Sequence, residues 1–462
     1  MDHSVFQSPF SWRYGSKAMR QIWSEEHKRK LWRAIWVALA HVQTDYGLVT
    51  PQQAADLEAH MNQIDLPRAL QIEEEIQHDL MAEVKTFAEQ APIGGGIIHF
   101  GATSMDVEDN AEALRLKMSL EQISATLRNT LVLLSALTLQ YADTPLIALT
   151  HLQPAEPSTL GYRFAQTLQD LLADFRQINW LIGNIKGKGF KGAVGTGASY
   201  AELFGVKGLE GFEEKMSARL KLPFFEITTQ TYPRKQELEV MNALAGLAQS
   251  LYKFSFDLRL LQSPAFGELS EPFGQQQVGS SAMPFKRNPI RAEKIDSLAR
   301  YLAQMPRLAW DNAAHNLLER TLDDSANRRV MLPEAFLAAD EILRVFMQIV
   351  KGLKIDQQAI ERNLQRYGPF AATERVLMAC VKKGADRQQT HETLRQCSLS
   401  AWEAIQIGKP NPLADLIAGE SQIKQYLNPA QISALMDYRG HTGFAARKAR
   451  ALAEKTLLEF NS

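Results

Sequence analysis

The chain has 462 residues, with 51 basic against 52 acidic side chains and two cysteines. That length exceeds what one hydrophobic core usually organises, so two or three domains are expected, and the even charge balance excludes a global field for nucleic acid or an anionic membrane. Cys380 and Cys397 supply neither a disulfide framework nor a four-thiolate zinc site, MDHSVFQSPFSWRYG lacks an apolar signal core, and no apolar run reaches the ~20 residues of a membrane span. The expectation is a reduced, cytoplasmic protein whose partner is a small molecule.

In chain order, the N-terminal part reads as short helices around Trp23, Trp32 and Trp36, ending in the turn Gly94-Gly95-Gly96. It contains Arg13-Tyr14, a commonplace exposed pair when taken alone. His99-Phe100-Gly101-Ala102-Thr103-Ser104-Met105-Asp106 then leads to Asp109 and Asn110. Hydroxyls there suit a helix N-cap, and the free N–H groups and positive dipole of the same end suit a carboxylate, so Thr103 and Ser104 fit both roles. Between Gly101 and Pro145 no glycine or proline intervenes, and Leu, Ile and Val recur every three or four residues, which predicts one long helix.

Thr150-His151-Leu152-Gln153-Pro154-Ala155-Glu156-Pro157 follows, at a break between long helices, where prolines hold His151 in an irregular segment. A histidine titrates near neutrality and can protonate a leaving group, although a lone one is more often structural. Helical patterns fill 162–182, 234–263, 290–304 and 334–351, and no run alternates at period two, so the chain is expected to be all-α, with helices long enough to suggest a bundle shared between subunits. Gly187-Lys188-Gly189-Phe190-Lys191-Gly192 matches the dinucleotide-binding pattern but follows an amphipathic helix, not a strand, which argues against a nicotinamide cofactor. Asp323-Asp324 has no histidine, cysteine or third carboxylate at metal-ligand spacing, so no metal is expected.

Gly279-Ser280-Ser281-Ala282-Met283-Pro284-Phe285-Lys286-Arg287-Asn288-Pro289 pairs two hydroxyls with two cations on a segment that glycine and proline keep out of regular structure, an arrangement suited to an anion. Taken singly, such a stretch is an ordinary surface turn. In Glu319-Arg320-Thr321-Leu322-Asp323-Asp324-Ser325-Ala326-Asn327-Arg328-Arg329, Arg320 and Arg329 flank a short turn containing Ser325, a combination that suits a phosphate or, read alone, a charged helix end. Beyond 351 the pattern shortens, punctuated by Pro410, Pro412 and Pro429. The resulting division is 1–103, 104–355 and 356–462.

The Gly279–Pro289 string closely resembles the signature of the fumarase/aspartase superfamily of lyases, and Thr150-His151-x-Gln-Pro-Ala resembles a second region of it. Gln77-His78-Asp79 leading into Met81-Ala82-Glu83-Val84, Thr229-Gln230-Thr231-Tyr232 and Thr321–Arg329 are more similar to the branch that cleaves succinyl-purine nucleotides than to fumarases or argininosuccinate lyases. The resemblance implies three helical domains in a homotetramer with shared active sites, no cofactor, and β-elimination of fumarate from two succinyl nucleotides of purine synthesis, one of them yielding AMP. By the same resemblance Ser280, rather than its neighbour Ser281, is the general base and His151 the general acid. Arg13, Tyr14, Arg320, Ser325 and Arg329 would hold the nucleotide phosphate and ribose, with His78 and Asp79 beside the substrate, and Thr103, Ser104, Gln230, Lys286 and Asn288 would hold the succinyl carboxylates. Gln77 and Lys294 depart from the pattern, where arginines are looked for, and exchange a bidentate fork for a neutral group or a point charge. The alternatives are another fumarate-releasing lyase, a related cycloisomerase, or a helical oligomer that kept the fold without activity.

Overall fold

The computed structural model describes residues 4–461. After short N-terminal helices its main elements are α1 (Glu25–Thr44), α2 (Asp79–Gln90), α3 (Ser104–Gln140), the strands β1 (Pro145–Thr150) and β2 (Gln153–Thr159), α4 (Leu160–Asn184), α5 (Lys235–Leu261), α6 (Ile290–Leu302), α7 (Asp323–Gly352), α8 (Gln357–Lys382) and α9 (Arg387–Gln406). No helix among the described residues is long and apolar enough to cross a membrane.

The long helices fall where apolar periodicity places them. α3 runs for 37 residues, α4 for 25 and α5 for 27. Two helices outrun the sequence reading. α7 begins at Asp323 and continues through Pro333, so Ser325 stands in a helical first turn and not in the short turn expected between Arg320 and Arg329. α8 likewise continues through Pro369 for 26 residues. Proline removes one N–H bond and crowds the preceding turn, a cost that packing of the flanking helix can outweigh.

The all-helical frame carries two small antiparallel sheets. Leu269–Ser270 pairs with Lys354–Ile355, and β1 pairs with β2 in a register from Pro145 opposite Thr159 to Thr150 opposite Gln153. The two-residue loop left by that register is His151-Leu152, with φ of 54° and 59°. Positive φ at both central residues is the twist that a tight hairpin demands. His151 is therefore at a hairpin tip, not in the irregular helix break expected.

The chain forms two compact units, one from 1–126, 174–249 and 297–344, the other from 127–173, 250–296 and 345–462. In the first, Trp36, Phe87, Phe190, Tyr200 and Phe212 centre an apolar core. A charged cluster is buried beside it: Glu83 of α2 accepts from Arg33 Nε at 2.6 Å and Arg29 Nη1 at 2.8 Å, and all three side chains are inaccessible or nearly so. Burial pushes the Arg33 guanidinium down from its ordinary value, and Glu83 opposes that drift. In the second unit, α8 and α9 pack on the C-terminal helices through Val376, Leu394, Leu413, Ile417 and Ile432.

Removing Glu83 strands two buried cations. Glu83→Ala is expected to cost about 3–5 kcal/mol, read as a lower midpoint in denaturant unfolding with an unchanged slope; a midpoint within experimental error of the parent would refute this account of the cluster.

Candidate active site

Most residues expected to bind substrate lie in the first unit, at the ends of its helices. Asp79 opens α2, His78 caps that helix by accepting from the Met81 amide at 3.4 Å, and Arg329 Nη2 of α7 donates to Asp79 Oδ2 at 2.8 Å. Gln77 closes the preceding helix in a left-handed conformation, φ 55°, and its amide donates to the Glu74 carbonyl at 2.7 Å. That departure is thus a folded-back cap. Asp79, Ser325 and Arg329 line one cavity of about 110 Å³, together with Trp23, Glu108 and Arg328. Arg329 also lines a neighbouring cavity of about 370 Å³ with Ser8, Phe10 and Ser11, beside the turn in which the amides of Arg13 and Tyr14 donate to the Pro9 carbonyl. Arg320 pairs with Asp324 at 2.9 Å, and the Gln230 amide donates to the carbonyl of Glu319 at 3.1 Å, which sets Gln230 beside the Arg320 segment.

The start of α3 is held by a carboxylate that the sequence reading quoted but gave no role. Asp106, fully buried, reaches back to accept from the Thr103 amide at 3.0 Å, the acidic half of a capping box. It also accepts from the amides of Lys191 at 3.2 Å and Gly192 at 3.2 Å, from the Tyr200 hydroxyl at 3.3 Å, and from the buried Lys188 ammonium. The rejected dinucleotide-like string thus has a structural use: its backbone wraps the carboxylate that orders Thr103 and Ser104. Gly189 and Gly192 adopt φ of 80° and 69°, conformations that glycine reaches without strain. Nearby, His99 accepts at Nδ1 from Trp36 Nε1 at 3.1 Å, and burial lowers its pKa, which keeps the ring neutral.

Behind these groups lies a network absent from the sequence reading. Arg234 donates to Asp109 at 3.0 Å and to Asp324 at 2.9 Å, Arg328 donates to Glu237 at 2.6 Å, and Tyr232 donates its hydroxyl to Glu237 at 2.6 Å and its backbone amide to Asp109 Oδ2 at 2.8 Å. Burial opposes the charge on Glu237, but Arg328 and Arg234 outweigh it and hold the carboxyl below the usual range. Apart from Tyr232 and Glu237, the members of these pairs are far apart in sequence, so no local signal could have found them.

The second unit carries His151, Ser280, Lys286 and Asn288. Ser280 is half-buried and its hydroxyl oxygen accepts from the amides of Met283 at 3.1 Å and Ala282 at 3.3 Å. Ser281 and Lys286 are exposed. Asn288 Nδ2 donates to the Gly279 carbonyl at 2.9 Å and closes the loop on itself. Gly279 is required at this closure, since a Cβ would stand 1.9 Å from the Lys286 carbonyl oxygen. Hydrogen bonds donated to a hydroxyl oxygen favour its ionised form, so this loop can stabilise a serine alkoxide.

Comparison with known proteins identifies the family. A family model described as Lyase matches residues 5–302, and one described as Adenylosuccinate lyase C-terminus matches 369–451. The chain is 39% identical to an adenylosuccinate lyase of Schistosoma mansoni, over 90% of this chain and 88% of that protein. It is 35% identical to one of Saccharomyces cerevisiae, over 98% and 95%. Among solved structures, a 3-carboxy-cis,cis-muconate lactonizing enzyme from Pseudomonas putida superposes with a TM-score of 0.85 at 25% identity, covering 98% of this chain and all (100%) of that one. A fumarate lyase from Mesorhizobium sp. BNC1, at 24% identity and a TM-score of 0.84 over 97% and 99% of the two chains, shares the fold. With relatives this similar along nearly its whole length, the chain belongs to the adenylosuccinate lyase family.

Proposed function

We propose that this protein is a fumarate-releasing carbon–nitrogen lyase that cleaves adenylosuccinate to AMP and fumarate, and the carboxamide succinyl nucleotide of purine synthesis to its aminoimidazole product. The observation that carries the mechanism is the pair of backbone amides aimed at the Ser280 oxygen. Serine is a poor base in water; amides and a nearby cation lower the cost of its alkoxide. Ser280 takes the proton from the carbon beside a succinyl carboxylate, the electron pair forms the new C=C bond, the C–N bond breaks, and His151 gives its proton to the departing nitrogen.

The carbanion formed on the way spreads charge onto the carboxylate. Lys286 and Asn288, with Thr103, Ser104 and Gln230, bind the succinyl carboxylates and stabilise that charge. Arg13, Tyr14, Arg320, Ser325 and Arg329 take the phosphate and ribose, with His78 and Asp79 beside the purine end. This reading includes a three-part division at 1–103, 104–355 and 356–462, a homotetramer whose active sites draw on more than one copy of the chain, and a cytoplasmic location. The size of the central helices and the family of the chain support it.

The direct test is fumarate release from adenylosuccinate, with argininosuccinate and aspartate in parallel; release from adenylosuccinate alone is expected, and release only from another substrate would overturn the assignment. Ser280→Ala is expected to lower kcat by at least about 10²–10⁴-fold with the oligomer intact, whereas Ser281→Ala should keep most of the activity. Equal losses in the two variants would remove the basis for choosing Ser280. Gly279→Ala, which drives a methyl group into the Lys286 carbonyl, is expected to abolish turnover while the melting temperature stays close to that of the parent; a fully active variant would show that the loop closure is dispensable.

A further inference from the structure

The cavity at Ser325 and Arg329 is rich in carboxylates for a place assigned to a phosphate. Around it Glu25 pairs with Lys28 at 2.7 Å, Asp79 with Arg329 at 2.8 Å, Asp109 with Arg234 at 3.0 Å and Glu112 with Arg115 at 3.5 Å. The remaining cation of the wall, Arg328, is taken by Glu237 at 2.6 Å. Glu108 also lines this cavity, and among the described residues it has no ion-pair or hydrogen-bond partner. It stands four residues along α3 from Ser104, on the same side of the helix. Its carboxyl faces like charges from α2 and α3, in Asp79 and Asp109, and cations from α1 and α7, in Lys28 and Arg329. Burial first, then Asp79 and Asp109, push its pKa up to about 8, against the pull of Lys28 and Arg329.

We propose that Glu108 is a ligand-facing residue of the nucleotide phosphate site, present in the complex as the neutral acid and donating its proton in a hydrogen bond to the phosphoryl group that Arg329 binds. The inference rests on the assignment of Ser325 and Arg329 to that phosphate. A phosphomonoester carries a charge of about −1.5 to −2 at pH 7, and Asp79 already holds one nitrogen of Arg329. An ionised Glu108 would be a further anion beside the phosphate and Asp79. Ionised, a carboxylate is also an acceptor only; protonated, it supplies the donor that a phosphoryl oxygen needs. The neutral form therefore removes the repulsion and adds a bond.

The sign of the linkage follows. Phosphate raises the Glu108 pKa further, so binding takes up a proton wherever the free side chain is ionised: affinity is full below about pH 8 and is lost as pH rises through that value, by up to tenfold per unit. In the free protein the raised pKa has a parallel effect, since the unfolded chain releases this proton near its ordinary value of 4.5; stability contributed by the group declines as pH rises from there to about 8.

The test is titration calorimetry of the intact oligomer with AMP, in buffers of different ionisation enthalpy at pH 7, 8 and 9. Proton uptake at pH 9 should approach one per site, and affinity should fall about fivefold between pH 8 and pH 9. In Glu108→Gln, whose amide still donates, uptake and the loss of affinity above pH 8 should both disappear. Glu108→Ala should also lose the uptake but bind AMP more weakly than Glu108→Gln at pH 7, and it serves as the second variant should Glu108→Gln fail to fold. Unchanged uptake in either variant, or AMP binding by the parent without uptake at pH 9, would overturn the role of Glu108. Adenosine binding as tightly as AMP would instead overturn the phosphate assignment itself, and the inference with it.

Discussion

A lattice of buried charges anchors the ends of the long helices where the proposed substrate-binding residues lie. Asp109 belongs to α3, Glu237 to α5, Asp324 and Arg328 to α7, and Arg234 precedes α5; their shortest ion pairs, Arg234 with Asp109 and Asp324 and Arg328 with Glu237, run from 2.6 to 3.0 Å. Each charge taken from water costs several kcal/mol, and an interior made of them is tolerable only because every carboxylate meets a guanidinium in near-ideal geometry. Directional bonds of this kind favour one register of the three helices over neighbouring ones, a specificity that apolar packing alone supplies less sharply. The candidate site residues at those ends, Thr103 and Ser104 at the start of α3 and Ser325 and Arg329 on α7, inherit their positions from it.

Asp106 repeats the logic at smaller scale. One carboxylate gathers a lysine, a tyrosine hydroxyl and backbone amides from both its own helix and the 187–192 loop. A helix N-terminus is an anion site only when its free amides are kept in line, and here an internal anion orders the turn that is to present Thr103 and Ser104. The Ser280 loop uses the opposite device. It has few buried contacts and is closed by Asn288 on the Gly279 carbonyl and by amides on the serine oxygen, which suits a segment that must reorganise around substrate.

Local pattern made the helices and the chemistry legible. Apolar periodicity placed α3, α4 and α5 to within a few residues, and the strings around His151, Ser280 and Arg320–Arg329 were recognisable as they stood. The hairpin was not. β1 and β2 are short, and their prolines read as breakers; what makes them strands is pairing with each other, with Pro154 and Pro157 accommodated in a two-stranded ribbon that has free edges. Pro333 misled in the same way, starting the sequence-based helix at 334, eleven residues after Asp323, because tertiary packing overrode a local cost.

By itself the amino-acid sequence determined the helical class, the extent of α3, α4 and α5 and the motifs that mark the candidate reacting groups, since these depend on side-chain type and on spacings of three to eleven residues. Only the tertiary structure decided which of two serines has its oxygen held by amides, that His151 rides a tight hairpin turn, that Gln77 is a folded-back cap, and that Glu108 is the unpaired carboxyl in a cavity of pairs. Each of these depends on partners brought together from distant parts of the chain, and the energy of a buried charge or hydrogen bond is set by those partners rather than by the residue that carries it.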